Sequence, residues 1–407
     1  MDFINSSQLQ SKEAQDSFAA QIMRIMPNGM APIFAMSGLA KKKFIPNIEH
    51  GWWSKTMQFV KATLATAISS NATTAVVLDN VDGILAGSVL RVSVISGTTY
   101  SAPELMLVTA VNYATKTCTV QRGFAGTTAK ASIAQGTLFV EVGNAFPENS
   151  ARPKSKAIRP VRSMNYTQIF RNAWDVGGTL AAIKLQVGQD AITENKADCS
   201  FFHAAGIEQA VLFGRKSMGT DATSGQPFHT MSGLEAMIEE AAPNNITVAG
   251  ATTNFTQLEA MLDPLFDYRT DGAQGNTRTI YCGSQALRTV NKIGRMSGEY
   301  QLQEGQTSFG LRFHRFSTTR GVFNLVEHPL LNTNDTWKKM AFVLDLGSFD
   351  LMYLTGRDTL HDKYNKRGDI TDGADAEGGV LTTECTLEMV NPLANGVIYN
   401  LTDAAAG

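Results

Sequence analysis

A long segment without proline, TLAAIKLQVGQDAITENKADCSFFHAAGIEQAVLFG, constrains the fold of this chain more than any other feature. It runs from Thr179 to Gly214, and its apolar residues recur at steps of three and four, as on one face of a helix. These residues are Leu180, Ile183, Val187, Ala191, Cys199 and Phe202. The spacing predicts a helix over residues 179–213, about 50 Å long at 1.5 Å per residue. Gly188 and Gly206 weaken this prediction locally.

A distinct β-rich module precedes the predicted helix, between about residue 59 and residue 146. Its short runs alternate apolar and polar residues, which is typical of half-buried strands. Gly, Asn, Asp and Ser separate the runs, which are TTAVVLDN, SVLRVSV, LMLVTAVN, TCTVQRG and TLFVEV. The pattern predicts a small sandwich or barrel.

A glycine-containing stretch inside this module, Arg122 followed by Gly123–Gly126, raises the question of a phosphate-binding loop. Such a loop needs the free N–H groups at the start of a helix. Period-two patterns flank the stretch instead, in Thr117–Gln121 before it and in Thr137–Val142 after it. We therefore predict a turn between two strands.

The first residues, up to about residue 55, predict an extended arm instead of a domain. Proline and glycine interrupt the segment FAAQIMRIMPNGMAPIFAMSGLA too often for a long helix. Its apolar side chains would be exposed unless something covers them. They include Ile22, Ile25, Met26, Ile33 and Phe34. The cover is either the core of the same subunit or a partner subunit.

The rest of the chain mixes helix and strand patterns. MSGLEAMIEEAA and TNFTQLEAMLDPLFDYR predict short amphipathic helices, and TRTIYCGSQALRTVNKIGR predicts a strand that runs into a helix at Gly283-Ser284. FGLRFHRFST, RGVFNLVEHPLL and KKMAFVLDLGSFDLMYL predict strands, and HDKYNKRGDITDGADAEGG predicts a polar loop. LTTECTLEMVNPLANGVIYNLT predicts two strands around Asn391-Pro392. The predicted fold class is α+β, with a long helix and an inserted β module.

Composition and charge exclude several classes of protein. The chain has 407 residues, of which 35 are basic and 37 acidic, so a net charge of -2 gives no general attraction to nucleic acid or membranes. The four cysteines lie far apart without a C-x-x-C pair, which argues against a disulfide framework or a zinc ribbon. No apolar run approaches the ~20 residues that span a bilayer, and the polar start MDFINSSQLQSKEAQDSF is no signal peptide. We expect a soluble intracellular chain.

Motifs that carry catalytic chemistry are scarce. The sequence has no G-x-S-x-G elbow, H-E-x-x-H pair, Walker-type loop or Rossmann fingerprint. The six histidines never pair at i, i+4, and His314 and His328, near Glu327, are interpreted as structural. We therefore predict no catalytic, metal or cofactor site. The enzyme alternative is a scattered site formed by Asp345, Asp350 and His361.

Two charged stretches are candidates for binding. The first, an acidic loop, has the oxygen ligands that Ca²⁺ prefers but not the spacing of a calcium loop, so a solvated turn is favoured. Its carboxylates are Asp369, Asp372, Asp375 and Glu377. The second is a basic run with three interpretations, in decreasing order of preference. It is a solvated linker, it contacts an acidic surface of a neighbouring subunit, or it binds nucleic acid directly. Its residues are Arg152, Lys154, Lys156, Arg159 and Arg162.

Several short sequence segments along the chain are similar to segments of a known family. CTVQRGFAGTTA, MNYTQIFRNAWDVGGT, EQAVLFGRKS and TLEMVNPLANGVIYNL follow the arm in this order. The chain therefore resembles the major capsid proteins of tailed bacteriophages, which have the HK97-type fold, in the branch whose extended loop carries a β insertion. The resemblance covers about residues 1–400.

The resemblance implies a domain organisation and a function. The domains would be an arm over 1–55, an extended loop with the β insertion over 56–165, a peripheral domain over 166–224 and 356–407 that contains helix 179–213, and an axial domain over 225–355. The function would be non-enzymatic self-assembly into pentamers and hexamers that close an icosahedral shell around packaged double-stranded DNA. The alternatives are a phage tail or baseplate protein, a carbohydrate- or partner-binding module and the scattered enzyme.

The resemblance also implies partners and contacts. Copies of the same subunit and a portal would bind it, with a decoration protein as an option. Because only about fifty residues precede the loop, we expect a separate scaffolding protein instead of a cleaved scaffold. Packaged DNA would lie near the protein without specific binding, and we expect neither a membrane nor a cofactor as a partner. The protein would be located in the virion capsid, which is assembled in the bacterial cytoplasm. Trp52 and Trp53 would anchor an interface together with the apolar arm residues, and the basic run would meet an acidic patch on an adjacent subunit.

Overall fold

The structure is a computed structural model that describes residues 41–55, 59–92, 102–156, 160–183, 190–250, 253–269, 276–297, 303–304, 314–364 and 375–402. These residues form two compact units. The insertion unit lies within Trp53–Arg162, and the main unit comprises the described residues before and after it.

In the described ranges, ten strands precede the first α-helix, and most of the strand pairs are antiparallel, so the α+β prediction is confirmed. The α-helices are α1 (Gly178–Ala182), α2 (Ala191–Phe213), α3 (Leu234–Ala241), α4 (Phe255–Leu262) and α5 (Ser284–Ser297). The first strands are β1 (Lys41–Ile45), β2 (Glu49–Ser54), β3 (Lys61–Thr63), β4 (Ala75–Val77), β5 (Ser88–Val92), β6 (Glu104–Asn112), β7 (Thr117–Gln121), β8 (Leu138–Asn144), β9 (Val161–Tyr166), β10 (Gln168–Gly177) and β11 (Ser217–Thr220). They are followed by β12 (Pro227–Thr230), β13 (Ile246–Val248), β14 (Thr277–Cys282), β15 (Gln303–Glu304), β16 (His314–Ser317), β17 (Val322–Glu327), β18 (Ala341–Leu344), β19 (Phe349–Leu354), β20 (Leu360–Tyr364), β21 (Ala376–Met389) and β22 (Gly396–Tyr399).

The insertion unit is a closed barrel. Its six strands follow the order β3-β8-β5-β6-β7-β4, and an antiparallel bridge between Leu64 and Leu78 joins the two edge strands. Alternate strand residues point inward and are buried, among them Val92, Met106, Val108, Cys118, Val120 and Phe139. The five predicted strands are confirmed, and of the two predicted shapes the structure has the barrel, whose closure removes the sheet edges.

The glycine-containing stretch is a tight turn, as predicted. A single 3-10 turn, Phe124–Gly126, follows β7, and the backbone is left-handed at Gly123 (φ 62°), Ala125 (φ 56°) and Gly126 (φ 76°). A side chain at Gly123 would lie 2.8 Å from the carbonyl oxygen of Thr127, which explains the glycine there. The turn connects strand to strand, and the helix N-terminus that a phosphate loop requires is therefore not formed at this position.

The main unit contains two large sheets. One has the order β1-β19-β21-β10, with β20 also paired to β21, and the other has the order β13-β22-β18-β14-β17-β16-β15. Helices α2 and α3 pack on one face of the seven-stranded sheet, in a core with Tyr281 and Phe342. Helices α4 and α5 pack against Ile280 and Phe323. Since neighbouring residues of a strand point to opposite faces, helices cover both sides of this sheet.

The predicted helix over 179–213 is wrong in its N-terminal part. Helix α1 ends at Ala182, and the backbone is extended at Ile183 (ψ 131°) and again at Asp190 (ψ 133°) before α2 begins. Helix α2 has 23 residues, or about 35 Å at 1.5 Å per residue. Leu180, Ile183 and Phe202 of the predicted apolar set are exposed, whereas Cys199 is buried, so the apolar spacing marked the buried face only in part. That face consists of Cys199, His203, Ile207, Glu208, Val211 and Leu212.

The predicted polar loop HDKYNKRGDITDGADAEGG is wrong at both ends. Its first residues belong to β20 and its last residues to β21, and these two strands pair. Tyr364 packs over Gly378, where a Cβ atom would lie 2.5 Å from the ring, and this close approach explains the glycine in β21. Asp369 and Asp372 lie outside the described residues.

The other local predictions are confirmed within the described ranges. They are the short helices α3 and α4, the junction of β14 with α5 at Gly283-Ser284, the strands β16 to β19 and the closing strands β21 and β22. None of the helices in the described ranges is both long and apolar enough to cross a membrane.

Candidate assembly surfaces

The two tryptophans of the predicted interface lie next to each other on β2 and differ in burial. Trp52 is half-buried, packs against the core of the main unit and stacks on His50, with the ring centroids 5.9 Å apart. Trp53 is 64% exposed. Of the two, Trp53 is therefore the indole that is available to another molecule.

The predicted arm contacts fall outside the part of the chain that the structure describes. These residues are Ile22, Ile25, Met26, Ile33 and Phe34, and Arg159 of the basic run lies outside it as well.

The described residues of the basic run are exposed, but one of them is neutralised. Lys156 Nζ donates to both carboxylate oxygens of Glu141 at 2.5 Å, and Ser88 Oγ donates to Glu141 Oε1 at 2.6 Å. Lys156 is therefore tied to β8 of its own subunit. Arg152 and Lys154 lie exposed on an extended segment, and Arg162 is exposed on β9.

An apolar surface that was not predicted from the sequence lies on the outside of the insertion unit. It consists of Phe59, Leu138 and Val142, here called the barrel patch, which are 89%, 47% and 51% exposed. Phe139, between the last two, points inward and is fully buried. The apolar set Leu138, Val140 and Val142 of TLFVEV thus faces outward, where a solvated strand face normally carries polar residues. That inversion is the sequence signal that could have revealed the patch.

The three residues of the enzyme alternative are not brought together in one site. Asp345 lies 3.6 Å from Arg278 in a buried ion pair. Asp350 is paired with a lysine of β1. His361 accepts, at Nε2, a hydrogen bond from Trp174 Nε1 at 3.0 Å. Among the described residues, no group of three His, Cys, Asp or Glu side chains is placed to hold a metal ion.

His328 has the structural role that was predicted for it. It is fully buried, its Nε2 lies 3.2 Å from Glu208 Oε1, and the backbone N–H of Leu330 donates to its Nδ1 at 3.3 Å. His328 thereby satisfies a buried carboxylate in the C-terminal half of α2 and the start of the 3-10 turn that follows His328.

Comparisons with known proteins identify the family through two sequence matches. The family model described as SU10 major capsid protein matches residues 4–402. A protein of Pseudomonas phage PaMx41 with the name Major capsid protein is 34% identical over 402 residues, which cover 95% of this chain and 93% of that protein.

Solved structures are similar at a lower level. A structure from Microbacterium phage Oxtober96 has a TM-score of 0.45 and 10% identity, over 98% of this chain and 97% of its own. One from Mycobacterium phage Bobi has a TM-score of 0.46 and 9% identity, over 95% of each chain. Because both TM-scores are below 0.5, the assignment rests on the two sequence matches. These extend over nearly the whole chain, which therefore belongs to the family of SU10 major capsid proteins.

Proposed function

We propose that this phage major capsid protein assembles into pentamers and hexamers that close an icosahedral shell around packaged double-stranded DNA. The observation that carries the proposal is the family match over residues 4–402, which includes both the insertion unit and the main unit. A shell of many copies needs no single tight contact, because many weak interfaces act together. The protein acts as a structural component of the virion capsid, and its assembly in the bacterial cytoplasm is part of the proposal.

We assign the contacts between subunits to exposed groups that the subunit's own core does not cover. Among the described residues these are Trp53, the barrel patch, Arg152 and Lys154. The apolar arm residues, which lie outside the described ranges, are proposed as contacts from the sequence alone. An interface that joins two different surfaces of identical subunits closes into rings when its rotation allows. The exposed apolar groups would contribute most of the contact energy, and the two cations would set the register against an acidic neighbour.

The domain organisation of HK97-type capsid proteins is our proposal for this chain. The arm would cover 1–55, the extended loop 56–165, the peripheral domain 166–224 and 356–407, and the axial domain 225–355. The compact insertion unit, Trp53–Arg162, supports the limits of the loop. Pairing of β10 with β21 supports a peripheral domain made from two distant segments, with α2 over Ala191–Phe213 as its long helix.

A shell that is closed and filled with DNA needs further proteins for its assembly and for DNA entry. A portal and a separate scaffolding protein are proposed, with a decoration protein as an option. DNA would be contacted without specificity, since a net charge of -2 gives the subunit no general attraction to phosphates. A structural role also leaves no need for catalysis, and family membership does not favour a tail or baseplate component.

Electron microscopy of the negatively stained full chain tests the proposal. The chain is expressed alone and together with the neighbouring phage genes. Closed shells, tubes or hexameric rings are expected in at least one condition, and a stable monomer in both would contradict the proposal. Deletion of residues 1–40 is expected to leave a folded subunit that assembles poorly, so intact shells from this variant would remove the arm from the proposed contacts.

A further inference from the structure

Two carboxylates oppose each other in the sheet of the main unit that contains β19 and β21. Asp350 on β19 and Glu388 on β21 are direct partners in the antiparallel register, and their side chains are 16% and 14% exposed. Like charges that lie directly opposite across two strands destabilise a sheet. Partial burial strengthens the repulsion, because less water lies between the charges. The pair therefore requires positive charge from other strands.

The N-terminal strands provide one base for each carboxylate. Lys43 on β1 donates from Nζ to Asp350 Oδ2, and His50 Nε2 on β2 lies 2.8 Å from Glu388 Oε2. The pKa of Lys43 is raised, chiefly by its hydrogen bond to Asp350, and the charge of Glu388 also contributes. The carboxylate pair thus binds two separate points of one segment, residues 41–50. The end of this segment is also held by other contacts, because β2 pairs with β9 and the carbonyl oxygen of Ile48 accepts a hydrogen bond from the N–H of Thr167 at 2.9 Å.

Among the described strands, β1 lies at the edge of its sheet and pairs in parallel with β19. The carbonyl oxygen of Ile45 accepts hydrogen bonds from the backbone N–H and from Oγ1 of Thr355, both at 3.0 Å, and Lys42 Nζ lies 4.8 Å from the centroid of the Tyr353 ring. Ile45 is buried, whereas Phe44 is exposed. Lys42 Nζ binds Asp358 Oδ2 at 2.7 Å, but these side chains are 50% and 39% exposed, and ion pairs in such positions contribute little. The attachment of β1 therefore depends on its backbone pairing, on Ile45, on the contacts with Thr355 and Tyr353, and on the carboxylate pair.

We propose that Asp350 and Glu388 form an electrostatic latch for residues 41–50, and that this segment detaches as a unit while the rest of the main unit stays folded. When the segment detaches, the negative charges of Asp350 and Glu388 stay opposed without a nearby positive charge. This carboxylate pair therefore favours renewed binding of a basic strand. Raised ionic strength weakens the latch, because the Lys43 side chain is half exposed and salt screens its charge. A strand attached in this way can rearrange while subunits come together, without unfolding of the cores.

Hydrogen–deuterium exchange of the full chain at two salt concentrations measures the latch. Between about 0.1 M and about 1 M NaCl the Debye length falls from ~10 Å to ~3 Å. We expect exchange of the amides in residues 41–50 to become about fivefold faster, which corresponds to the upper range for a partly exposed ion pair. The amides of β5 and β6, in the insertion unit, serve as the internal reference and are expected to stay unchanged.

Substitutions separate the latch from ordinary packing. Lys43→Met keeps the length of the side chain and removes its charge, so we expect about fivefold faster exchange of residues 41–50 already at low salt. In K43M the attached β1 covers the Asp350 carboxylate without a cation. The double variant K43M/D350N removes that unpaired charge, so its exchange is expected to return part of the way towards that of the unchanged protein. Lys42→Met is the matched control, since its ion pair is exposed on both sides. It also removes the contact of Lys42 Nζ with the Tyr353 ring, and it is expected to accelerate exchange less than K43M does.

Three results would overturn the latch. One is exchange of residues 41–50 that does not depend on salt, and another is K43M exchange within twofold of the unchanged protein. The third is a double variant that exchanges as fast as K43M. If K43M does not fold, Glu388→Gln decides instead. With one carboxylate neutral, the salt dependence of exchange in residues 41–50 is expected to fall by about half, and an undiminished salt dependence would also contradict the latch.

Discussion

At the scale of single residues, a buried ion pair in the barrel shows how the tertiary structure sets the chemistry of a side chain. Arg122 Nε and Nη2 donate to the two carboxylate oxygens of Glu104 at 2.5 and 2.8 Å. The backbone N–H groups of Gly123 and Lys130 donate to the same carboxylate at 3.3 and 2.9 Å. Burial by itself raises the pKa of Glu104, but the hydrogen bonds and the charge of Arg122 outweigh it and lower that pKa.

Substitution of Arg122 is expected to destabilise the barrel far more than substitution of a cation in an exposed ion pair. Arg122→Met leaves the Glu104 carboxylate buried without its cation, and we expect the barrel to lose about 3–5 kcal/mol of stability. The double variant R122M/E104Q is expected to recover part of this loss. Native-state hydrogen exchange of the β5 and β6 amides measures both. Lys156→Met, at the more exposed pair with Glu141, is the control and should cost less than about 1 kcal/mol; equal losses at the two sites would contradict the prediction.

A buried histidine makes the stability of the main unit depend on pH. His203 on α2 has its Nδ1 2.9 Å from Asn172 Oδ1 and its Nε2 2.8 Å from Thr383 Oγ1. Burial lowers the pKa of His203. In the unfolded chain the residue takes up a proton at its ordinary pKa of ~6.5, whereas the folded subunit takes it up only at lower pH. Its contribution to stability is therefore complete above pH ~6.5 and is lost as the pH falls towards the folded pKa.

Comparison of unfolding free energies across this pH range tests the role of His203. The unchanged protein is expected to lose stability as the pH falls below ~6.5. His203→Gln is expected to be less stable at neutral pH, since its side chain does not reproduce both hydrogen bonds, and to lose less on acidification. Parallel pH curves for the two proteins would show that another group is responsible.

At the scale of elements, the barrel strands and the long helix differ in how well local patterns predicted them. Strands β4, β6, β7 and β8 alternate more and less exposed residues along a few positions, and that pattern is visible in the sequence. Strand β5 is instead buried at four of its five positions. The buried face of α2 includes His203 and Glu208 and leaves Phe202 outside. Polar residues become core residues there because partners on β10, β21 and the segment after β17 satisfy them.

Two truncations on α2 test which of its faces is buried. Leu212→Ala removes a side chain that is fully buried in the core of the main unit, and we expect a loss of about 2–5 kcal/mol in the free energy of unfolding. Phe202→Ala removes a larger side chain that is 63% exposed, and we expect a change within about 1 kcal/mol. Denaturant unfolding of the two variants in parallel measures the difference, and a Phe202 loss as large as that of Leu212 would place the buried face elsewhere.

At the scale of the whole molecule, each unit has its own hydrophobic core. The barrel encloses one cluster of buried side chains, and the main unit contains two others, on the two faces of its seven-stranded sheet. The barrel patch belongs to none of these clusters. Its residues thus carry little of the stability of the subunit, which leaves them available for contacts between subunits.

Substitution of the barrel patch is expected to separate assembly from folding. In the double variant F59S/V142T the free energy of unfolding should change by less than about 1 kcal/mol, because both side chains are exposed. The yield of shells or rings in electron microscopy and sedimentation should decrease, if the patch contacts a neighbouring subunit as proposed. Thr119→Ser, on the outer face of β7, is the matched control. Normal assembly of the double variant would remove the patch from the proposed contacts.

The sequence by itself determined the α+β class, the barrel strands, the turn at Gly123–Gly126, most of the later strands and helices, and the resemblance to capsid proteins. These features depend on residues a few positions apart in the sequence or on short continuous sequence motifs. Only the tertiary structure decided the start of α2, its buried face, the outward direction of the barrel patch and the partners of Asp350 and Glu388. His50 and Glu388 are 338 positions apart, and Lys43 and Asp350 are 307 apart. Contacts of that kind follow from which strands pair and in which register, and a period of two or 3.6 residues carries no information about either.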